Sequence, residues 1–180
     1  MFVGLNPSTA DGEKDDPTIR RAIGFAKRWG FGRLTMLNLF AFRATDPRVL
    51  LAAPDPIGHE NDRTLTEYAS HANLLVCCWG NWGAHRGRWH DVCRLSYRKS
   101  EGRHRRMEDE FCCLGLTKRL QPRHILYAPY ACAPIAYLSW RQRSGGGADG
   151  AGDASALSSL AAPKNITCCQ GSSSNSSTSL

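Results

Sequence analysis

Four short stretches of this sequence lie at or after the ends of apolar runs, and their residue types can act on a bound ligand. They are Asn6-Pro7, Asn38, Trp79-Gly80 and Arg123-His124. An asparagine amide offers both hydrogen-bond donors and an acceptor, and a histidine can donate a proton or a hydrogen bond near neutral pH. Open α/β sheets bind ligands at the carboxyl ends of their strands, so these stretches together predict one shared site.

Each of these polar residues also has a purely structural interpretation. Asn6 suits a turn in which its side chain bonds the local backbone, and Asn38 suits a capping or loop bond at a strand end. His124 suits an exposed loop. The sequence leaves the structural and the functional interpretations open for all three residues.

Aromatic and basic residues near the same positions extend the predicted site. Phe40, Phe42 and Trp79 are candidates for stacking on a planar ligand, although aromatic residues in apolar runs belong more often to a core. The acidic cluster of residues 11–16 has no histidine or further carboxylate at a ligand spacing, so we predict neither a metal nor a cofactor. Three basic residues near the strand ends are candidates for binding phosphates: Arg43, Lys118 and Arg123.

The apolar patterning supplies the elements that position these residues. A helix is predicted from Asp16-Pro17, a capping residue followed by proline, to Gly30, with further helices over about residues 60–72 and inside a later basic segment. The order βαβαβαβ predicts an α/β protein, specifically a three-layer α/β/α domain with a four-stranded parallel sheet. Its strands are predicted over four apolar runs: residues 2–5, 34–40, 74–79 and 111–115.

Composition divides the 180 residues into one domain and a tail. Residues 1–140 carry the hydrophobic patterning of a single α/β domain. In residues 141–180, 22 of the 40 residues are Gly, Ser or Ala, which predicts a disordered tail. Within the domain, residues 86–110 form a basic segment of uncertain structure. Its residues 86–106 hold eight lysines and arginines against two acidic residues.

Charge and cysteine usage limit the partners and the compartment. The formal net charge of +7 favours nucleic acid or a nucleotide as a partner, although a solvated basic face explains it as well. The eight cysteines include no C-x-x-C spacing for zinc or redox chemistry. With no secretion leader and no apolar run of membrane-spanning length, we expect a soluble intracellular monomer, in the cytoplasm or nucleus, that is not secreted.

The motifs GLNPS, LTMLNLFAFRATDP, LLVCCWG and QPRHILY, in this order over about residues 1–130, resemble the uracil-DNA glycosylase superfamily. That superfamily has a parallel four-stranded α/β/α sheet. The resemblance implies an N-glycosylase-like hydrolase in which Asn6 positions the attacking water, Asn38 reads an edge of the base and His124 donates to the departing base. It also implies a pocket for the base that is lined by Phe40, Trp79 and Gly80.

A closer similarity, over residues 4–62 and the later motifs CWG and LGLTK, is to the uncharacterised domain-of-unknown-function family 1643. Members usually carry further residues before GLNPS, a glycine where this chain has Leu120, and a proline where it has Ile125. We therefore expect a nucleobase-directed hydrolase. The alternatives are a non-catalytic nucleotide-binding or nucleic-acid-binding module and a truncated, inactive family member.

Overall fold

The structure is a computed structural model, and it describes residues 1–8, 16–98 and 111–137 together with the backbone of residues 167–168. Its main sheet has five strands in the order β3-β1-β4-β5-β6. The first four run parallel, and β6 pairs antiparallel with β5 at the edge. These strands are β1 (Phe2–Gly4), β3 (Met36–Asn38), β4 (Leu75–Cys77), β5 (Phe111–Cys113) and β6 (Ile135–Ala136).

Helices connect the parallel strands, and aspartate-proline pairs start two of them. Asp16 accepts a hydrogen bond from the backbone N–H of Thr18 at 2.7 Å, and Asp46 caps the second helix in the same way. The α-helices are α1 (Pro17–Arg28), α2 (Pro47–Ala52), α3 (Asn61–His71) and α4 (Arg88–Arg98). Two 3₁₀ helices follow β4 and β5, at Asn81–Gly87 and Ile125–Tyr127.

The sheet is buried on both faces because its side chains alternate between two apolar clusters. Val3 faces one cluster, which includes Leu65 of α3 and Val92 of α4. Its neighbour Phe2 faces the other, which includes Phe25 of α1. The three central strands, β1, β4 and β5, are therefore buried throughout, as expected where helices cover both faces of a parallel sheet.

A buried arginine joins the two helices on one face of the sheet. The Arg88 side chain at the start of α4 is only 2% exposed and pairs with Asp62 of α3. Its Nε also donates to the backbone oxygen of Leu39 at 2.8 Å. The same oxygen accepts from Nδ2 of Asn61 at 2.8 Å, so this carbonyl beyond β3 anchors both helices.

The structure confirms the α/β class and corrects the sheet. The prediction of four parallel strands alone is wrong, because the sheet is mixed and has a fifth, antiparallel strand. The two residues of β6 are too short to produce a periodic signal. The run 34–40 is also divided, into β2 (Arg33–Leu34) and β3. The helix within the basic segment is present as α4.

The remaining predictions about organisation fall largely outside the described residues. This is so for residues 99–110 of the basic segment and for the predicted tail, apart from residues 167–168. Those two residues form β7 (Thr167–Cys168), which pairs parallel with β2. The division into a domain and a tail remains a prediction. Among the described helices, none is long and apolar enough to cross a membrane.

Replacing Arg88 with alanine is expected to lower the free energy of unfolding by about 2 kcal/mol, because it removes a buried side chain together with its hydrogen bonds to Asp62 and to the Leu39 oxygen. The control is Arg63→Ala, which removes a surface pair with Glu60 whose partners are both more than half exposed. That change is expected to cost less than about 1 kcal/mol. Urea unfolding monitored by circular dichroism measures both. Equal losses would contradict the anchoring function of Arg88.

Candidate functional site at the carboxyl edge of the sheet

The strand order reverses between β1 and β4, so a ligand crevice is expected between the carboxyl ends of these two strands. From β1 the chain crosses to β3 on one side, and it then returns to β4 on the other side. Ligands of open α/β sheets bind at such a reversal of strand order. The loops that begin at Leu5, after β1, and at Cys78, after β4, therefore border the expected binding position.

Asn6 lies in the loop after β1, half-buried, and its side chain ties that loop to the loop after β3. Its Nδ2 donates to the backbone oxygens of Ala44 at 2.7 Å, Pro7 at 3.1 Å and Phe42 at 3.3 Å. Three carbonyl neighbours fix the amide orientation, because only the NH₂ end can donate to them. No hydrogen bond to Oδ1 occurs among the described residues, and this oxygen is the end of the amide that can accept one.

Asn38 ends β3 beside Gly4, its partner in the strand register. A Cβ placed on Gly4 would lie 2.6 Å from Oδ1 of Asn38, so the absent side chain of Gly4 makes the space that the amide occupies. Asn38 lies two residues from Met36 in the strand, and both face the sheet surface that α1 covers. The backbone oxygen of Asn38 accepts from Asn61 at 3.4 Å.

Trp79 and Phe40 lie in the core and not on an open surface. Phe40 is 0% exposed and Trp79 is 2% exposed, and both belong to the cluster that α3 and α4 cover. The indole N–H of Trp79 donates to Oε1 of Gln121 at 3.1 Å, and Tyr137 packs edge-on against its ring. Their assignment to base stacking remains a prediction, whereas Phe42, 36% exposed beside Asn6, has an accessible ring.

Gly80 joins the β4 loop to the β5 loop. It has a φ of +71°, a conformation that favours glycine, and its N–H donates to the backbone oxygen of Pro122 at 2.9 Å. A further link between these two loops is the hydrogen bond that the Thr117 hydroxyl donates to Oδ1 of Asn81 at 2.6 Å. These contacts, with the bond from Trp79 to Gln121, hold the two loops as one unit.

His124 caps the 3₁₀ helix after β5, where its Nδ1 accepts from the N–H of Leu126 at 3.4 Å. Its pKa is lowered because burial removes water from the imidazolium ion, and the nearby carboxylate of Asp16 opposes this shift. The lowered pKa favours the neutral ring at pH 7, and because Nδ1 accepts a hydrogen bond the proton of that ring lies on Nε2. Through Asp16, this histidine also lies close to the start of α1.

The basic candidates differ in their surroundings. Lys118 and Arg43 are exposed, whereas Arg123 is half-buried and its guanidinium donates to the backbone oxygen of Leu116 at 3.4 Å. No cluster of three or more metal-ligating side chains occurs in residues 1–8, 16–98 and 111–137. A separate cavity at the amino-terminal edge is lined mainly by apolar residues such as Trp29 and Phe31, far from the candidate residues.

The sequence analysis missed Asn61, Arg88 and His85. Asn61 and Arg88 both bind the Leu39 carbonyl, at the end of β3. The buried Nε2 of His85 has no hydrogen-bond partner in the described part of the chain, and burial lowers the pKa of this ring. Arg88 was hidden in a run of arginines that have no periodicity. Of these three residues, only Asn61 had a recognisable sequence signal, because it lies at the first position of helix α3.

A match to a protein-family model shows the family to which the chain belongs. The model for a family described as "Protein of unknown function (DUF1643)" matches residues 1–126. The chain belongs to this family. No curated protein and no solved structure matches it. The DUF1643 match includes every candidate site residue from Asn6 to His124, so the carboxyl edge described above lies within the family region.

Leu120 has a left-handed backbone conformation, which is uncommon for a residue other than glycine. Its φ of +57° is costly for a residue with a Cβ. The turn of residues 117–120 is closed by a hydrogen bond from Leu120 N–H to the Thr117 oxygen at 2.9 Å. The backbone of this turn therefore keeps a shape that suits glycine.

Replacing Leu120 with glycine is expected to raise the free energy of unfolding by about 0.5 kcal/mol, since relief of left-handed strain exceeds the added chain entropy of glycine. Leu126→Gly is the control, because Leu126 is similarly exposed but lies in a 3₁₀ helix, and it should destabilise. Thermal unfolding measures both. A loss of stability in Leu120→Gly would show that leucine packing outweighs the strain.

The lowered pKa of His124 predicts a pH dependence of stability. Its folded pKa lies below the ordinary value of 6.5, so the unfolded chain binds more protons as the pH falls. The free energy of unfolding should therefore decrease on acidification from about pH 7.5, and His124→Gln should flatten this slope. NMR titration of the imidazole signal absent from His124→Gln gives the pKa directly. A value above 6.5 would contradict the analysis.

Proposed function

We propose that this chain hydrolyses the N-glycosidic bond of a nucleoside unit in nucleic acid or in a nucleotide. The observation that carries the proposal is the orientation of the Asn6 amide at the carboxyl end of β1. Its Nδ2 is committed to three backbone carbonyls, so Oδ1 remains to accept a hydrogen bond from a water. This is the geometry needed to hold a nucleophile beside a bound sugar.

In this reaction the bond between the sugar C1′ and the base nitrogen breaks, and its electron pair leaves with the base. The sugar acquires oxocarbenium character, as in other glycoside hydrolyses, and water adds to C1′ and releases its proton to solvent. An asparagine is a much weaker base than a carboxylate. Asn6 therefore orients the water rather than deprotonating it, which fits a reaction in which the base departs before the water attacks.

His124 supplies the second requirement, which is stabilisation of the negative charge on the departing base. Because its pKa is lowered, the ring is neutral, and Nε2–H can donate to a base oxygen without losing its proton. Asn38, whose amide fills the space above Gly4, offers one donor and one acceptor to a base edge. The described residues thus provide hydrogen bonds at the water and at the base.

The surrounding residues fit a nucleotide substrate. We also propose a uracil-DNA-glycosylase-like fold for the four parallel strands, whose order is β3-β1-β4-β5. Gly80 brings backbone close to the crevice, and Phe42 offers an exposed ring beside Asn6. Arg43, Lys118 and Arg123 are proposed to bind phosphates. The reaction needs no metal or redox cofactor. We further propose an intracellular monomer, which fits the free cysteines, five of them buried, among the described residues.

One observation favours a second candidate, a nucleotide-binding module without catalysis. The Asn6 amide holds the loops after β1 and β3 together, which is sufficient reason for an asparagine there. A module would use the same crevice and the same phosphate contacts. It differs from the enzyme only in the absence of turnover.

The test is cleavage of labelled oligonucleotides that carry uracil, mismatched thymine or deaminated purines, single- and double-stranded, followed by alkali to reveal abasic sites. Wild type should produce abasic sites, and His124→Ala should slow their formation by about 100-fold, the typical effect of removing one charge-stabilising donor. Asn6→Ala should remove turnover while binding persists. The matched control is His71→Ala, an exposed histidine at the far end of α3.

Folding of each variant is checked by a cooperative thermal transition before activity is compared. If folded wild type cuts no oligonucleotide but binds nucleotides, the binding module replaces the enzyme. If His71→Ala lowers the rate as much as His124→Ala, the assignment of His124 is wrong.

A further inference from the structure

A basic turn and an exposed tryptophan form one surface beside the crevice. The basic turn comprises residues 116–122, closed by the bridge between Leu116 and Pro122 and by the bond from Thr117 N–H to the Gln121 oxygen at 2.8 Å. Trp82 lies in the 3₁₀ helix after β4, and its neighbour Asn81 accepts from the Thr117 hydroxyl at 2.6 Å. This contact sets the tryptophan next to the turn.

The surface is open, aromatic and positively charged. Trp82 is 43% exposed, in contrast to Trp79 and Trp89, which are buried in the core. Lys118 and Arg119 are exposed at the tip of the turn. The ion pairs of the described residues involve neither of these two cations. Their charge is therefore available to an anionic partner.

The Thr117 hydroxyl makes the surface rigid. Besides its bond to Asn81, it accepts from the N–H groups of Arg119 and Gln121, each at 3.3 Å. The link from Gly80 N–H to the Pro122 oxygen fixes the base of the turn. Because the backbone of the turn is held in this way, binding costs little loop ordering, and the remaining cost is the ordering of the exposed side chains.

We propose that this surface binds a single-stranded segment of nucleic acid, with one base stacked on Trp82 and the adjoining phosphates held by Lys118 and Arg119. Aromatic side chains interleaved with cations are the arrangement that recognises unpaired strands, because each exposed base presents a π-face and each phosphate a charge. This inference rests on the proposed function in one respect: it specifies that the substrate of the proposed hydrolase is a polynucleotide chain rather than a free nucleotide.

The exposed indole beside two cations favours an unpaired nucleic-acid strand over a duplex and over an acidic peptide. A duplex hides its base faces inside the stack and leaves the Trp82 ring without a partner. An acidic peptide satisfies Lys118 and Arg119 but offers no planar group for the indole. The next turn of the same loop leads through Arg123 to His124, so a strand bound here continues toward the candidate site.

The experiment measures binding without cleavage. Fluorescence anisotropy follows a labelled twelve-residue oligo-dT, an oligo-U of the same length, a duplex and poly-glutamate with the full chain. Trp82→Ala is expected to weaken oligo-dT binding by about tenfold, as for loss of one stacking partner, and Trp82→Phe should recover most of it. Lys118→Ala/Arg119→Ala should lower the slope of log K against log salt concentration by about 1.4.

Matched control variants are made in helices α1 and α3, outside the basic turn and the segment of Trp82. Tyr68→Ala removes an aromatic residue that is 42% exposed on α3, and Lys27→Ala/Arg28→Ala removes two exposed cations at the end of α1. Both should leave affinity unchanged. Binding of oligo-dT or oligo-U that is lost only in the Trp82 and Lys118/Arg119 variants supports the proposal.

Several results would overturn it. Equal affinity for duplex or poly-glutamate would make the surface a general anion patch, and unchanged binding in Trp82→Ala would remove the stacking contact. If free nucleosides are hydrolysed while no oligonucleotide binds, this inference fails and the proposed function stands. If oligonucleotides bind through Trp82 but none is cut, the proposed binding surface is supported and the proposed hydrolytic activity on oligonucleotides is wrong.

Discussion

The side-chain amide of Asn6 is the interaction on which the arrangement of the carboxyl edge depends. Beyond β1 and β3, backbone bonds continue from Leu39 N–H to the Gly4 oxygen and from Phe40 N–H to the Leu5 oxygen. Pro7 has no N–H to donate, but its oxygen accepts from the N–H of Ala44 at 3.2 Å. The Asn6 amide adds the donor from the β1 loop, so the loop of residues 42–44 is held by both a backbone bond and the side chain of Asn6.

The opposite half of the edge is held by different means. There the loops after β4 and β5 are joined by one backbone bond and two side-chain bonds, each with donor and acceptor within 3.1 Å. The crevice between β1 and β4 thus lies between two separately fixed pairs of loops. A ligand that bridges them contacts two prepared surfaces, so its binding costs little loop ordering.

The strand ends could be predicted from sequence because apolar runs closed by Gly, Asn or Pro have a strong local signal. Asn6, Asn38, Gly80 and His124 all lie after, or at the end of, parallel strands at the expected edge. The burial of Trp79 and Phe40 agrees with the general rule that aromatic residues in apolar runs belong to a core. The partner of the Trp79 indole could not be predicted, because Gln121 is distant in sequence. Arg88 was equally hidden, since its partners Asp62 and Leu39 are distant in sequence and meet it only in the fold.

Charged residues are distributed unevenly along the carboxyl edge of the sheet, and this distribution matters for the proposed reaction. The acidic Asp16 stands at the start of α1, whereas the loop after β5 carries Lys118, Arg119 and Arg123 with no acidic residue between Leu114 and His124. His124 lies at the boundary and interacts with Asp16. In the proposed reaction, negative charge that leaves with the base is favoured on the side of the basic loop, because Lys118, Arg119 and Arg123 carry no acidic neighbour there. Asp16 disfavours the same charge near the start of α1, so the position of the base relative to these two groups would determine how strongly the edge assists cleavage.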